Sequence, residues 1–302
     1  MSSMANVCQR EIRVQGPLLR IASLEADKFQ FLDEPDAMIE GLKTCGMRID
    51  LFTFIQRLSE LWKTYPYPAE RDNLAVLPIS TFADWWHKQI RTSARNRARL
   101  AEKKGVVVRE VPFDDTLVKG ICEVYSECPV RQGVPFRHYG KDANTVRREE
   151  ATFLDASFFI GAFLENKLIG FVKLVHDETR TQAGVMKIVS MIGQRDKAPT
   201  NALLAQAVRS CAERGISRLV YGKFAYGKKQ QSSLGDFKEC NGFKKVDLNR
   251  YYVPLTSLGR TALHWGLYRN VVDHIPDSFA NKFRKLREAW YSRKFETLKQ
   301  AS

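Results

Sequence analysis

The chain has 302 residues, with 48 Lys and Arg against 34 Asp and Glu, so its formal net charge is +14 and its pI is near 9.5. Apolar residues make up 44% and charged residues 27%, a composition that excludes a largely disordered chain and predicts a folded core. The positive charge favours anionic partners, namely nucleic acid, acidic lipid headgroups or phosphate-bearing cofactors, although it also serves solubility alone.

The sequence has no apolar run long enough to span a membrane, and its start, MSSMANVCQREIRV, lacks the apolar centre of a secretion signal. We therefore expect a cytoplasmic location. The six cysteines are scattered and form no CxxC pair, so we expect them to be reduced and we expect no metal site.

Residues 1–80 are predicted to form a segment of short elements. The stretch EIRVQGPLLRIASLE predicts two strands around a Gly-Pro turn, and DEPDAMIEGLKTCG predicts a helix that ends at Gly46. In IDLFTFIQRLSELW the apolar residues recur at helical spacing, which predicts a second helix over 49–62. A loop with two prolines and the short strand LAVLPI complete this segment.

A basic helix is predicted over 81–104, because this stretch follows a capping Ser80, contains no Gly or Pro and ends at Gly105. Its apolar seam consists of Ile90, Ala94, Ala98 and Ala101, and its adjacent basic stripe consists of Arg91, Arg95 and Arg99. Such a stripe is typical of a nucleic-acid-binding arm and also of a solvated helix face, so contact with tRNA or phosphate stays open at this point.

Residues 105–257 alternate between strands and helices. The strand VVVREV is followed by helices over 118–128 and 144–155, and then by the strands FFIGAFLE, KLIGFVKLVHD and GVMKIVSMI, the first two joined by a tight turn at Glu165–Asn166. A helix from Pro199, the strand RLVYG, the short helix SLGDFKECNGF and the strand KKVDLNRYYVPL follow. This order predicts an α/β fold with one mixed central sheet flanked by helices. We divide the chain into an N-terminal segment (1–80), a core (81–257) and a basic helical extension (258–302).

Three stretches of the core resemble the Fem-type, peptidyltransferase-like branch of the GNAT acyltransferase superfamily. They are RTSARNRARLAEKKGVVVRE, NALLAQAVRSCAERG and SLGDFKECNGF, and together they span about residues 80–255. The resemblance implies the GNAT fold and an N-acyltransferase. Its donor would be an acyl-CoA such as acetyl-CoA, or aminoacyl-tRNA, and its acceptor an amine.

The loop between GVMKIVSMI and the helix at Pro199 is the predicted donor site. Free N–H groups at the start of a helix bind phosphate or carboxylate, and the resemblance implies that this turn holds the pyrophosphate of acyl-CoA. The usual family turn is Arg/Gln-x-x-Gly-x-Gly/Ala, whereas QRDKAPTNAL keeps the Gln and replaces both glycines, so both donors stay open, with a slight preference for acyl-CoA. The predicted cofactor-binding residues are Gln194, Arg195, Lys197, Thr200 and Asn201.

The polar stretch YSECPVRQGVPFRHYGKD is the predicted source of a base, because an amine loses a proton as it attacks a carbonyl. His138 is the first candidate and Glu127 the second, and a structural histidine is the alternative for His138. In the same stretch Arg131, Arg137 and Tyr139 are predicted to bind substrate, since arginines hold carboxylate or phosphate groups through paired hydrogen bonds.

Two further catalytic residues follow from the resemblance. Lys238, the lysine of the Phe-Lys pair in SLGDFKECNGF, would bind the acceptor or stabilise the negatively charged oxygen that develops at the carbonyl. Tyr226, in YGKFAYGKKQQSS, would donate a proton to the leaving group. The alternatives are a solvated helix lysine and an aromatic packing residue.

The rival function is a non-catalytic nucleic-acid-binding protein, with tRNA as its partner, that retains the GNAT fold. The tail PDSFANKFRKLREAWYSRKFETLKQ combines aromatic and basic residues at helical spacing. We expect it either to make a peripheral contact with an anionic membrane or to dock on the core.

Overall fold

The computed structural model of this protein describes residues 2–25, 31–32, 34–131, 133–225 and 233–268. Tyr226 and most of the predicted 258–302 extension lie outside these described residues. The two roles predicted for them, proton donation and membrane contact, stay predictions.

The described strands and helices follow one another along the chain in a mixed order. The strands are β1 (Ser2–Val7), β2 (Arg10–Gln15), β3 (Ile21–Leu24), β4 (Leu51–Ile55), β5 (Ala69–Pro78), β6 (Val107–Val111), β7 (Val130–Arg131), β8 (Val134–Pro135), β9 (Ser157–Leu164), β10 (Lys167–His176), β11 (Gln182–Ser190), β12 (Arg218–Val220) and β13 (Lys244–Pro254). The α-helices are α1 (Pro35–Thr44), α2 (Phe82–Asp84), α3 (Thr92–Lys103), α4 (Asp115–Ser126), α5 (Ala143–Glu150), α6 (Pro199–Glu213), α7 (Ser233–Cys240) and α8 (Ser257–His264). A π-helix spans Trp85–Gln89, and 3₁₀ helices span Leu154–Ala156 and Ile192–Lys197.

The chain divides into two compact units. Of the described residues, unit 1 comprises those within 1–77, 220–238 and 243–268, and unit 2 comprises those within 78–219 and 239–242. Strand β13, from the predicted core, groups with the N-terminal strands because it pairs with both β4 and β5. The three-segment division of the chain stays a prediction.

In unit 1 the strand order is β1-β2-β3-β4-β13-β5. Strands β3 and β4 are parallel, with Ile21 opposite Leu51, and the pairing of β4 with β13 is antiparallel. All five residues of β4 are buried, and Phe54 stacks on Tyr251 of β13 with 5.3 Å between ring centroids. The helix predicted over 49–62 is therefore wrong: a strand covered on both faces is apolar at every position, and a short apolar run of this kind mimics helical spacing.

In unit 2 the strand order is β12-β11-β10-β9-β6, and the neighbours from β11 to β6 pair antiparallel. Helices α4 and α6 pack against β10, and α3 packs against α6. Val172 and Leu174 of β10 and Leu204 of α6 are fully buried in this core. The predicted turn at Glu165–Asn166 is confirmed, because both residues have positive φ, 49° and 67°, between β9 and β10.

The single helix predicted over 81–104 is wrong, because α2, the π-helix and α3 divide this stretch. The break falls at Ile90, which is buried and extended with ψ 135°. Two tertiary hydrogen bonds hold it: the indole N–H of Trp85 donates to the carbonyl of Asn241 at 2.9 Å, and the backbone N–H of Arg91 donates to the carbonyl of Cys240 at 2.8 Å. Hydrogen-bond partners that lie about 150 residues away in the sequence thus override the local helix propensity.

Three smaller differences concern caps and short strands. The cap of α2 is Thr81, whose hydroxyl accepts from the N–H of Asp84 at 3.0 Å, in place of the predicted Ser80. Strand β1 precedes the first predicted strand, and the hairpin β7–β8 lies within the polar stretch YSECPVRQGVPFRHYGKD, for which no strand is predicted. These changes leave the predicted fold class intact: an α/β protein with mixed strand pairing flanked by helices is confirmed. Of the predicted helical extension, α8 is the described part.

Candidate active site around strand β11

The second half of β11 is open to ligands. Residues 182–185 are buried, whereas Met186 to Ser190 are all partly exposed. Residues 187–190 pair with β10 along one edge, and the register shifts at Met186, because Lys173 lies opposite Lys187 and Leu174 lies opposite Val185. An accessible stretch inside a central strand is a natural place for a ligand to lie.

The turn after β11 already holds a carboxylate of the chain itself. Glu127, just beyond the end of α4, accepts from the backbone N–H of Ile192 at 3.0 Å and of Gly193 at 2.7 Å. A Cβ added at Gly193 would lie 3.3 Å from the nearer carboxylate oxygen, so a larger residue would crowd this contact. Glu127, predicted as a base, therefore binds two backbone donors immediately before the turn QRDKAPTNAL, which the sequence assigned to a phosphate.

Arg131 makes the same turn rigid. Its guanidinium donates to the carbonyl of Ser190 at 2.7 Å and of Val124 at 2.9 Å, and it lies 3.7 Å from the Glu127 carboxylate. The same group lies over the Phe136 ring, 4.3 Å from the centroid. Its hydrogen bonds thus connect β7, which contains Arg131, with α4 and with the end of β11. The role of Arg131 in substrate binding stays a prediction.

The predicted cofactor residues line the turn and the start of α6. Thr200 shares a 2.8 Å hydrogen bond with Ser190, and Lys197 lies 3.3 Å from its neighbour Asp196. The side-chain oxygen of Gln194 is buried and has no hydrogen-bond partner among the described residues. Arg195 is exposed, and Asn201 is partly exposed.

His138 is buried and surrounded by positive charge. Its Nε2 accepts from the Arg137 guanidinium at 2.9 Å, and its Nδ1 lies 3.2 Å from the Lys141 ammonium and 3.5 Å from the Glu149 carboxylate. Burial first, and then the charges of Lys187, Lys141 and Arg137, lower the pKa of His138 to about 4. The imidazole is therefore neutral at pH 7 and resists protonation, an arrangement that favours a hydrogen-bonding role. Tyr139, the third predicted substrate residue beside Arg131 and Arg137, is 48% exposed.

A buried polar network adjoins His138, and the sequence reasoning missed it. The Tyr125 ring stacks on His138 with 4.7 Å between centroids, and its hydroxyl donates to the buried Glu150 carboxylate at 2.9 Å. Lys187, from the open half of β11, forms an ion pair with Glu150. Burial and the Glu150 charge raise the pKa of Tyr125, so this phenol stays protonated.

Lys173 of β10 completes this network from the next strand. It is fully buried, and its ammonium donates to the carbonyls of Glu150 at 2.7 Å and of Thr152 at 2.5 Å. One signal could have found both lysines: KLIGFVKLVH and GVMKIVS are strands with a single lysine in an apolar interior. A lysine at a buried position needs partners, and it therefore predicts a polar network.

Unit 1 holds the remaining predicted catalytic residue. Lys238 of α7 is fully buried, its ammonium donates to the carbonyl of Lys223 at 2.6 Å, and it lies 4.6 Å from the Tyr221 ring centroid. The alternative of a solvated helix lysine is wrong. Nearby, Asp72 pairs with Lys223 at 2.8 Å and with Arg250 at 2.9 Å.

The described residues contain no cluster of three or more side chains suited to hold a metal ion. Among the described helices, none combines the length and the hydrophobicity needed to cross a bilayer.

Comparison with known proteins identifies the fold. No family model matches the sequence, and no curated protein matches it. Among solved structures, L-PGS from Bacillus licheniformis is similar with a TM-score of 0.58 at 14% identity, and covers 87% of each chain. The C-terminal domain of a putative lysylphosphatidylglycerol synthetase from Agrobacterium fabrum gives a TM-score of 0.57 at 13% identity, with the same coverage. FemX aligns more loosely, with a TM-score of 0.48 at 12% identity over 82% of this chain and 87% of its own.

The first two similarities show that this chain shares the fold of these synthetase domains. The GNAT-type, Fem-like resemblance predicted from the motifs is thereby confirmed at the level of the fold.

Proposed function

We propose that this protein is an aminoacyltransferase that takes its acyl group from aminoacyl-tRNA and passes it to a nucleophilic acceptor. The observation that carries the choice of donor is the Glu127 carboxylate on the N–H groups of Ile192 and Gly193. The family resemblance would place the pyrophosphate of acyl-CoA immediately after these two residues, at the turn from Gln194 to the start of α6. An anionic side chain bound beside that turn repels a phosphate that approaches it. The slight initial preference for acyl-CoA is therefore reversed.

Two further observations support an aminoacyl donor. The name of one solved neighbour, a putative lysylphosphatidylglycerol synthetase, denotes a lysyl group joined to phosphatidylglycerol, which is an aminoacyl product. The net charge of +14 suits an RNA substrate. A tRNA donor also agrees with the proposed cytoplasmic location.

The reaction needs a bond from the acceptor to the aminoacyl carbonyl carbon, and loss of the bond from that carbon to the ribose oxygen of tRNA. The acceptor loses a proton, and the ribose oxygen gains one. We place the carbonyl at the open half of β11, where the Lys187 ammonium is held by Glu150. A cation fixed in advance stabilises the oxygen as negative charge develops on it. The catalytic role of Lys238 remains the prediction drawn from the resemblance.

Two acceptor classes follow from these sources. The family that the motifs resemble transfers its acyl group to an amine, whereas the name lysylphosphatidylglycerol synthetase of a solved neighbour contains a lipid. The test incubates the purified protein with tRNA charged with labelled amino acids, and offers either a mixture of small primary amines or vesicles of phosphatidylglycerol. Isothermal titrations with acetyl-CoA and with uncharged tRNA, each at two salt concentrations, accompany it.

We expect transfer of label to one acceptor class and no heat of binding with acetyl-CoA. Tight acetyl-CoA binding would overturn the choice of donor. Strong, salt-sensitive binding of tRNA with no loss of label from it would instead support the non-catalytic nucleic-acid-binding protein.

A further inference from the structure

Unit 2 carries an aromatic–arginine stack built from Phe82, Trp86, Arg99 and Arg209. The rings of Phe82 and Trp86 stack with centroids 5.6 Å apart and planes 24° apart. The Arg99 guanidinium lies 5.7 Å from the Trp86 centroid, and that of Arg209 lies 3.9 Å from the Phe82 centroid. Trp86 thus contacts Arg99 of α3, and Phe82 contacts Arg209 of α6. The π-helix supplies Trp86, and such irregular turns are frequent at functional sites.

The stack continues along α3 as a line of positive charge. Arg95, Arg99 and Lys103 are spaced four residues apart, so they lie on one side of the helix. Arg99, Lys103 and Arg209 are exposed, and none of the three forms an ion pair within the described part of the chain. The one acidic residue of α3, Glu102, forms no ion pair in that part either.

Three neighbouring basic residues, in contrast, form ion pairs within the molecule. Arg91 pairs with Glu239, Lys88 pairs with Asp84 at 2.6 Å, and Arg214 on α6 makes two hydrogen bonds to Glu110 at 2.7 and 2.8 Å. These charges are neutralised within the molecule. The charges of the stack are not, so they remain available to an external anion.

The guanidinium groups of the stack suit an oxyanion. A guanidinium beside a ring keeps the N–H groups along its edges available, and through them it binds a phosphate or a carboxylate by two parallel hydrogen bonds. A line of several positive charges matches the repeated phosphates of a nucleic-acid backbone. The rings themselves are covered by each other and by arginine, so they are not free to stack on bases. This surface therefore recognises the spacing of phosphate charges and not the base sequence.

A lipid surface fits less well. Membrane-bound helices present protruding apolar side chains, but Phe82 and Trp86 are only partly exposed and packed together. Among the described residues of unit 2, the exposed large apolar side chains are Val107, Val134, Tyr139 and Leu154, and they lie outside α2, α3 and α6.

We propose that the aromatic–arginine stack, with Lys103 beside it, is a docking surface for the phosphate backbone of RNA. Under the proposed function, on which this assignment of the partner rests, that RNA is the body of the aminoacyl-tRNA. The site around β11 acts on its aminoacyl end, and the stack holds its backbone without regard to sequence.

Two matched double variants of α3 test the surface. R99Q/K103Q removes one arginine and one lysine beside the stack, and R97Q/K104Q removes the same two residue types from the other side of the alanine seam. Arg97 and Lys104 are also exposed and form no ion pair among the described residues, so both variants change net charge equally on exposed positions. R209Q on α6 is the independent third variant. Thermal melts confirm that each is folded.

The measurement is fluorescence anisotropy of labelled uncharged tRNA across a salt series. For R99Q/K103Q we expect the slope of log K against log salt to become shallower by about 1.4 to 1.8, since each phosphate contact contributes roughly 0.7 to 0.9. We expect about half that change for R209Q, and none for R97Q/K104Q. An unchanged slope in R99Q/K103Q, or an equal change in the two double variants, overturns the proposal. The proposal is also overturned if R99Q/K103Q binds anionic vesicles less well than wild type does but binds tRNA equally well.

A short aminoacylated fragment of the tRNA 3′ end separates the two proposals. If wild type and R99Q/K103Q use this fragment equally well while the variant binds whole tRNA weakly, both proposals hold. If neither protein uses charged tRNA or the fragment but the salt slopes differ as expected, the docking surface stands and the proposed transferase fails.

Discussion

Replacing Glu127 with alanine should loosen the turn after β11 and free it for an external anion. The carboxylate accepts from the N–H of Ile192 at 3.0 Å and of Gly193 at 2.7 Å, and its side chain is 23% exposed. Hydrogen bonds to a charged group contribute about 1.5 to 3 kcal/mol each. Because water can reach the freed N–H groups, we expect a total loss near the low end, about 2 kcal/mol of unfolding free energy. For a chain of this size that corresponds to a fall in melting temperature of roughly 3 °C.

Two assays follow the Glu127→Ala variant. Differential scanning calorimetry measures the melting temperature, and isothermal titration with pyrophosphate and acetyl-CoA measures anion binding. We expect pyrophosphate to bind the variant and not the wild type, and to recover part of the lost stability. Glu127→Gln is the matched control, because its amide oxygen still accepts from one N–H while the negative charge is gone. An E127A protein as stable as wild type, with no new affinity for pyrophosphate, would refute the reasoning.

Three further predictions concern the buried groups. Between pH 6.5 and 4 the unfolded chain protonates His138, whereas the folded chain, in which the pKa of His138 is about 4, does not. The free energy of unfolding should therefore fall by about 2 to 3 kcal/mol over this range on acidification. Urea titrations of the H138F variant should lack this component. E150Q should lower stability by about 3 kcal/mol, because it leaves Lys187 without its buried partner, and the double variant E150Q/K187M should recover much of this. K238M should lower the rate of aminoacyl transfer about 100-fold at unchanged tRNA affinity, if the lysine stabilises the developing oxyanion.

Each of these predictions has its own contradicting result. Parallel pH profiles of wild type and H138F would show that His138 titrates alike in the folded and unfolded chains. Additive effects in the E150Q and K187M cycle would show that the two side chains are not coupled. A K238M protein that is folded and fully active would remove Lys238 from the reaction, and K238R tests whether charge alone suffices.

The sequence predicted most elements correctly where local signals were strong. The turn at Glu165–Asn166 and the helix α6 between Pro199 and Gly215 each carry their own start and stop residues. It failed at β4 because five consecutive buried positions give no periodicity with which to separate strand from helix. It failed again at Ile90, where bonds to the carbonyls of Cys240 and Asn241 end a stretch that contains no helix breaker.

The site divides in the same way. The sequence located the turn after β11, because a loop between a strand and a helix is visible in the order of elements, and it located the polar stretch 125–142 through its composition. It could not show that Glu127 reaches across 65 residues of chain to that turn, nor that Lys187 meets Glu150. Both contacts depend on how α4 and α5 lie against the sheet, which no local pattern encodes.

By itself the sequence determined the fold class, the basic charge and the order of the motifs, because hydrophobic spacing and capping residues act within a few residues of one another. The tertiary structure decided which anion the turn holds and which charges remain unpaired. Those outcomes depend on distances between segments far apart in the chain. A carboxylate 2.7 Å from a backbone N–H excludes a phosphate there, and an arginine with no carboxylate near it is left for a partner.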